Sequence, residues 1–105
     1  MNQITLQRRD NQHIVLSGDL TFDTVLAAQR QARLLFTSAT KQLVIDLHAI
    51  ARSDSAGLAL LLDWLRLAKH HQMNLQLMNV PAQLLAMAKV CGLDGILPLM
   101  ENSNK

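Results

Sequence analysis

The 105-residue chain has one cysteine, no tyrosine and only three aromatic residues. A single cysteine excludes an internal disulfide bond and a cysteine-based metal cluster. The ten Lys and Arg residues are scattered, and with so few aromatic rings to stack on bases we expect no nucleic-acid binding. The longest apolar run, residues 57–62, is far shorter than the ~20 residues that a membrane-spanning helix needs. The first twelve residues lack the apolar core of a secretion signal. These absences predict a cytoplasmic protein that does not insert into the membrane.

Half of the residues are hydrophobic and 17% are charged, which is typical of a chain with a packed core. No linker, internal repeat or low-complexity tract interrupts the sequence. We therefore predict a single domain over residues 1–100, followed by a polar tail at residues 101–105.

Short apolar and β-branched runs alternate with segments of helical period along the chain. The patterns predict strands at 4–8, 13–18, 42–47 and 74–79, helices at 24–36, 55–70 and 81–91, and a last edge strand at 95–100. Strands that alternate with helices predict an α/β fold with a mainly parallel sheet and helices packed on it.

The predicted helix 55–70 carries more leucine than one buried face needs. On a period of 3.6 residues, one stripe faces the core and consists of Leu58, Leu61, Leu65 and Ala68. A second stripe lies beside it and consists of Leu60, Trp64 and Leu67. This second stripe is either further core, covered by a neighbouring helix, or a docking surface with the tryptophan as its anchor.

The same helix begins at Ser53, Asp54 and Ser55, whose side chains can all cap backbone N–H groups. Free N–H groups at a helix start favour an anion or an acceptor oxygen, and a phosphate on Ser55 would be tolerated there. The start is therefore either a plain cap or part of a binding surface.

The stretch from residue 43 to residue 99 resembles the STAS domain, the fold of the anti-sigma-factor antagonists. In that family a strand ends in Asp, here Asp46, and a short loop follows, here 47–53. The helix then starts with Asp-Ser/Thr-x-Gly, here residues 54–57, and is followed by a strand, here 74–78, and by a helix that ends near a glycine, here Gly92. The resemblance implies the STAS fold, a mixed and mainly parallel sheet with helices packed on it.

Within that family, "DSAGLALLLDWLRLAK" is most similar to the MlaB-type subunits of the Mla phospholipid ABC transport systems, which have Asp-Thr-Gly-Gly-Leu-Ala-Leu-Leu-Leu and continue to Leu-Ala-Lys. The resemblance implies a non-catalytic subunit, peripheral on the inner membrane of a Gram-negative cell, that binds and stabilises or regulates an MlaF-like ABC-transporter ATPase beside a permease. The complex would traffic phospholipid between membranes and maintain outer-membrane lipid asymmetry. The expected partner-binding residues are Ser53, Asp54, Ser55, Ala56, Leu60, Trp64 and Leu67.

The chain departs from the Mla pattern with Ser at 55 in place of Thr and Ala at 56 in place of Gly. Serine is the residue that the phosphorylated anti-sigma-factor antagonists carry. The alternative function is therefore an anti-sigma-factor antagonist that a partner kinase switches by phosphorylating Ser55.

Other constellations are less specific. A hydrolase triad of Asp46, His48 and Ser55 lacks the Gly-x-Ser-x-Gly elbow around its serine. His70 and His71 are adjacent and point in different directions on a helix, which makes a poor metal pair. No glycine-rich phosphate loop is present. We predict no catalytic residue, no metal site and no cofactor.

Overall fold

The computed structural model describes residues 3–36 and 41–99. Along the chain the elements are β1 (Ile4–Arg8), β2 (His13–Leu20), α1 (Val25–Ala32), a 3-10 turn (Arg33–Leu35), β3 (Gln42–Ser53), α2 (Ser55–His70), β4 (Asn74–Met78) and α3 (Ala82–Val90). The helix predicted at 55–70 and the strands predicted at 4–8, 42–47 and 74–79 are confirmed, with β3 extending further than expected.

The four strands form one mixed sheet in the order β1-β2-β3-β4. β1 pairs with β2 in the antiparallel sense, whereas β2, β3 and β4 are parallel to one another. Leu20 at the end of β2 lies opposite Ser53 at the end of β3. The sheet and its helices confirm the predicted α/β fold, and parallel pairing gathers the carboxyl ends of β2 and β3 at one edge of the sheet.

The core lies between one face of the sheet and the helices. Alternate strand residues such as Leu75 and Leu77 of β4 enter the same core cluster as Leu61 of α2 and Leu84 of α3. Helix α2 contacts both α1 and α3, so it lies between two neighbouring helices. A helix in that position buries a wide arc of its surface, because three sides are covered by protein.

Four predicted elements differ from the structure. β2 runs to Leu20, two residues past its predicted end at 18, because its pairing with β3 continues beyond Gly18. β3 runs to Ser53, so the predicted loop 47–53 is wrong: its polar residues continue the parallel pairing with β2, with irregularities in register. Helix α1 ends at Ala32. Residues 33–35, which were predicted to continue the helix, form the 3-10 turn instead. The predicted strand 95–100 is also wrong as a strand, because a turn precedes Leu99, which forms an isolated parallel bridge to Leu77.

The predicted tail 101–105 and Met100 lie outside the described residues. Within 3–36 and 41–99, no helix combines the length and the apolar character needed to cross a bilayer.

Candidate functional site

Asp54 is the residue that caps helix α2. Its backbone is extended, with φ −140° and ψ −170°. Its Oδ1 accepts hydrogen bonds from the N–H of Ala56 at 2.9 Å and of Gly57 at 3.3 Å. Its Oδ2 accepts a third from the N–H of Phe22 at 3.0 Å. One carboxylate therefore caps α2 and also holds the loop between β2 and α1 against the helix start.

Gly57 allows the helix start to lie against the end of β2. A Cβ atom added to this glycine would stand 2.4 Å from the backbone oxygen of Leu20. That distance is far below van der Waals contact, and a backbone oxygen cannot rotate away as a side chain can. The glycine of the Asp-Ser-x-Gly motif is therefore required by the close packing of α2 on β2.

Ser55 and Ala56 form the first turn of α2 at the protein surface. Ser55 is exposed and Ala56 is half-buried. Their positions are fixed, because the cap and the glycine contact hold the helix start on both sides. A surface held in place before binding loses little conformational freedom on binding. Their contact with a partner stays a prediction.

Ser53 differs from its neighbours because it is buried. It is the last residue of β3 and is 4% exposed. Its Oγ has no hydrogen-bond partner among the residues that the structure describes, and the same is true of Thr21 Oγ1. Neither hydroxyl oxygen is accessible to solvent, and both residues contribute to the lining of one cavity.

This cavity, of about 340 Å³, lies at the start of α2. It is lined by Thr21, Asp23, Arg52, Ser53, Asp54 and Gln83. These residues come from the loop after β2, the end of β3 and the first turn of α3. We call it the α2-start cavity.

The second leucine stripe is largely core, which is one of the two interpretations that its spacing left open, so Leu60 and Trp64 are corrected as expected partner-binding residues. Leu60 is 6% exposed and Trp64 is 1% exposed. The ring of Trp64 packs against that of Phe36, with 6.0 Å between centroids. Both side chains are covered because α2 lies between two helices, so neither offers area to a partner. Leu67 is half-buried and stays a candidate contact.

Leu67 lines a groove of about 530 Å³ between α1 and α2. The groove is also lined by Leu26, which is 56% exposed, and by Arg30 and Arg33. Trp64 contributes to its floor. We call this surface the α1–α2 groove. It is the part of the second leucine stripe that stays accessible.

Phe22 is a surface residue that the sequence patterns did not single out. It is 79% exposed, in the loop whose backbone Asp54 holds. Thr24 fixes the same loop, because its Oγ1 accepts from the N–H of Thr21 at 3.0 Å and donates to the backbone oxygen of Asp19 at 2.7 Å. The sequence did contain a signal for this residue, because Phe22 stands between the polar residues Thr21 and Asp23, directly after a strand.

Asp46 and His48 lie together but do not form the imagined triad. Oδ1 of Asp46 lies 3.0 Å from Nδ1 of His48 and accepts from the His48 N–H and from Asn79 Nδ2, each at 3.0 Å. Burial alone would raise the pKa of Asp46, but these hydrogen bonds outweigh it and hold the pKa below its usual value. Among the described residues, the hydrogen bonds of the Asp46 carboxylate go to His48 and Asn79.

In the part of the chain that the structure describes, no group of three or more His, Cys, Asp or Glu side chains could hold a metal ion.

Comparison with known proteins agrees with this geometry. The family model described as "Mlab, STAS domain" matches residues 4–100. Among solved structures, the chain is similar in fold to the anti-sigma factor antagonist SpoIIAA in its unphosphorylated form, with a TM-score of 0.72 and 16% identity over 96% of this chain and 89% of that one. The search of curated proteins found no match.

Proposed function

The chain belongs to the MlaB-type STAS domain family, and we propose that it is a non-catalytic cytoplasmic subunit that binds an ABC-transporter ATPase. In this proposal it stabilises or regulates that ATPase, which works with a permease in the inner membrane to move phospholipid between membranes. The chain itself would be peripheral, held at the membrane through its partner. The docking surface comprises Ser55, Ala56 and Phe22, which we call the α2-start surface.

The observation that carries this proposal is the rigid, exposed start of α2. Asp54 binds two amides of its own helix and one amide of the loop that presents Phe22. An aromatic ring that is 79% exposed on a fixed loop is a typical anchor of protein interfaces. The family match supports the class of partner, and the geometry supports the location.

The first test is affinity purification of the tagged chain from detergent-solubilised membranes of its own host, with partners identified by mass spectrometry. We expect an ABC ATPase and its permease. Ser55→Arg should abolish their recovery, because a long charged side chain would stand between the two surfaces.

His70→Arg is the matched control for Ser55→Arg. It places the same side chain at the other end of α2, about 22 Å away at 1.5 Å per residue. His70 is exposed, so the control should fold and keep the partner. If the control also lost the ATPase, or if no ATPase were recovered with the unmodified chain, the proposal would be wrong.

The second candidate function is an anti-sigma-factor antagonist switched by phosphorylation. The exposed Ser55 at the first residue of α2 and the likeness in fold to SpoIIAA favour this alternative. A phosphate there would change docking through charge and desolvation. Recovery of a soluble kinase with the tagged chain, together with a phosphate mapped to Ser55, would support the switch and contradict the transporter proposal.

A further inference from the structure

One side chain covers the backbone at the edge of strand β1. Among the described residues, the strand order places β1 at one edge of the sheet and β4 at the other. Gln31, in the last turn of α1, reaches the β1 edge with its carboxamide group. Its Oε1 accepts a hydrogen bond from the N–H of Leu6 at 2.9 Å, and its Nε2 donates one to the carbonyl oxygen of Ile4 at 3.1 Å.

These two backbone groups are the ones that a further strand would use. Backbone groups alternate in direction along an antiparallel strand. The carbonyl oxygen of Gln3 points to β2, because it accepts from the N–H of Asp19 at 2.9 Å. Ile4 and Leu6 therefore present their backbone groups on the other side, at the open edge of the sheet.

The carboxamide of Gln31 takes the place of one residue of a neighbouring strand. In a parallel pair, one residue of the added strand donates to a carbonyl oxygen and accepts from the N–H two residues further on. Gln31 makes the same two bonds to Ile4 and Leu6. A carboxamide can do this because it carries an acceptor oxygen and a donor nitrogen.

The uncovered edge would suit a second copy of the chain. β1 reads Ile-Thr-Leu-Gln-Arg, with no proline and with its only charge at the last residue, so its sequence alone does little to prevent pairing. The β4 edge is covered in a similar way, because the N–H of Leu77 donates to the carbonyl oxygen of Pro98 at 2.9 Å. Two β1 edges are self-complementary when they pair antiparallel about a two-fold axis.

We propose that Gln31 keeps the chain monomeric by covering the β1 edge, and that loss of its carboxamide lets two copies pair through β1. Each copy has to give up two hydrogen bonds before its edge can pair, so Gln31 raises the dissociation constant of the dimer. This inference does not depend on the proposed ATPase partner, since it concerns contacts of the chain with itself and is tested on the purified chain alone.

Gln31→Met is the main test, because it keeps a side chain of similar length and removes the donor nitrogen and the strong acceptor. Sedimentation equilibrium over a concentration series measures the Kd of the dimer, and circular dichroism checks the fold. The unmodified chain should be monomeric. Gln31→Met should dimerise with a Kd at least about tenfold lower than that of the unmodified chain.

Two variants on the same helix control this result. Gln29→Met makes the same change at another exposed residue of α1 and should remain monomeric. Gln31→Asn keeps a polar side chain that is one methylene too short to reach both backbone groups, so it should dimerise like Gln31→Met. If Gln31→Met does not fold, Gln31→Asn decides the outcome.

Thr5→Lys locates the pairing surface. Thr5 is exposed in β1, and two-fold pairing brings the lysine of one copy close to that of the other, where like charges oppose pairing. In the Gln31→Met background it should restore the monomer. Gln72→Lys adds the same charge at an exposed residue of the turn after α2 and should leave the dimer unchanged.

Dimers of both Gln31 variants that Thr5→Lys disrupts and Gln72→Lys does not would support the proposal. A folded Gln31 variant that stays monomeric over the whole concentration series would contradict it. A dimer that the two lysines weaken equally, or not at all, would place the contact away from β1 and would also contradict it. An unmodified chain that dimerises as strongly as Gln31→Met would show that Gln31 does not protect the edge.

Discussion

Replacing Trp64 with alanine should greatly lower the free energy of unfolding of this domain, because the Trp64 ring packs in the core and not at an interface. The side chain is 1% exposed and packs against Phe36 at 6.0 Å between ring centroids. Truncating a buried aromatic residue to alanine costs about 3–5 kcal/mol. Since 1 kcal/mol shifts the Tm of a domain near this size by about 4–8 °C, we expect a drop of about 12–40 °C.

The assay is urea and thermal unfolding followed by circular dichroism at 222 nm, because the variant lacks the only tryptophan. Trp64→Phe keeps a ring in the same space and should cost about 1–2 kcal/mol while retaining the partner. Leu34→Ala, at a residue that is 84% exposed, should change stability by less than about 0.5 kcal/mol.

A loss below about 1 kcal/mol on Trp64→Ala, with partner binding abolished, would refute this reasoning. It would mean that the second leucine stripe faces a partner and that the core does not depend on the ring.

Other residues of the site and sheet give further expected results. Gly57→Ala should destabilise the fold by about 2 kcal/mol or more, because its Cβ would stand 2.4 Å from the backbone oxygen of Leu20. Asp54→Ala should cost about 1–2 kcal/mol through the lost cap and should also weaken partner binding, because the loop of Phe22 is released. The lowered pKa of Asp46 means that its stabilising contribution is present above the unfolded pKa of about 3.9 and is lost as pH falls through the lower folded value.

Matched measurements check each of these results. Ala59 is exposed on α2, so the stability change in Ala59→Gly gives the effect of exchanging alanine and glycine in this helix. The stability change in Gly57→Ala is compared with that value. For Asp54, Asp54→Asn or Asp54→Ser should retain most of the helix cap, and equal losses for all three substitutions would contradict capping. For Asp46, urea unfolding from pH 6 to pH 2.5 should show a smaller pH dependence in Asp46→Asn than in the unmodified chain, and identical curves would contradict the shift.

Helix α2 was predictable from sequence because its signals are local. Capping side chains, a glycine three residues after the cap and a sustained helical period all lie within one short stretch. The extension of β3 was not predictable, because residues 48–52 lack an apolar alternation and are held in the sheet by pairing with β2. That pairing joins segments more than 30 residues apart, which no local pattern reports.

The site was predictable only in part, for the same reason. Ser55 and Ala56 lie at the surface as expected, since they follow directly from the helix start. Whether Trp64 faced a partner depended on how many helices flank α2, which the period of one helix does not reveal. The α2-start cavity joins Thr21, Ser53 and Gln83, so its two unpaired hydroxyls appear only when three distant segments are brought together.

Hydrogen exchange measured by mass spectrometry, on the chain alone and bound to its partner, tests most directly whether the α2-start surface is the docking surface. We predict slowed exchange in peptides covering residues 20–24, 53–60 and 81–85, and unchanged exchange in those covering 66–76. Slowed exchange confined to the α1–α2 groove, around Leu26 and Leu67, would contradict the central claim and would place docking in that groove instead.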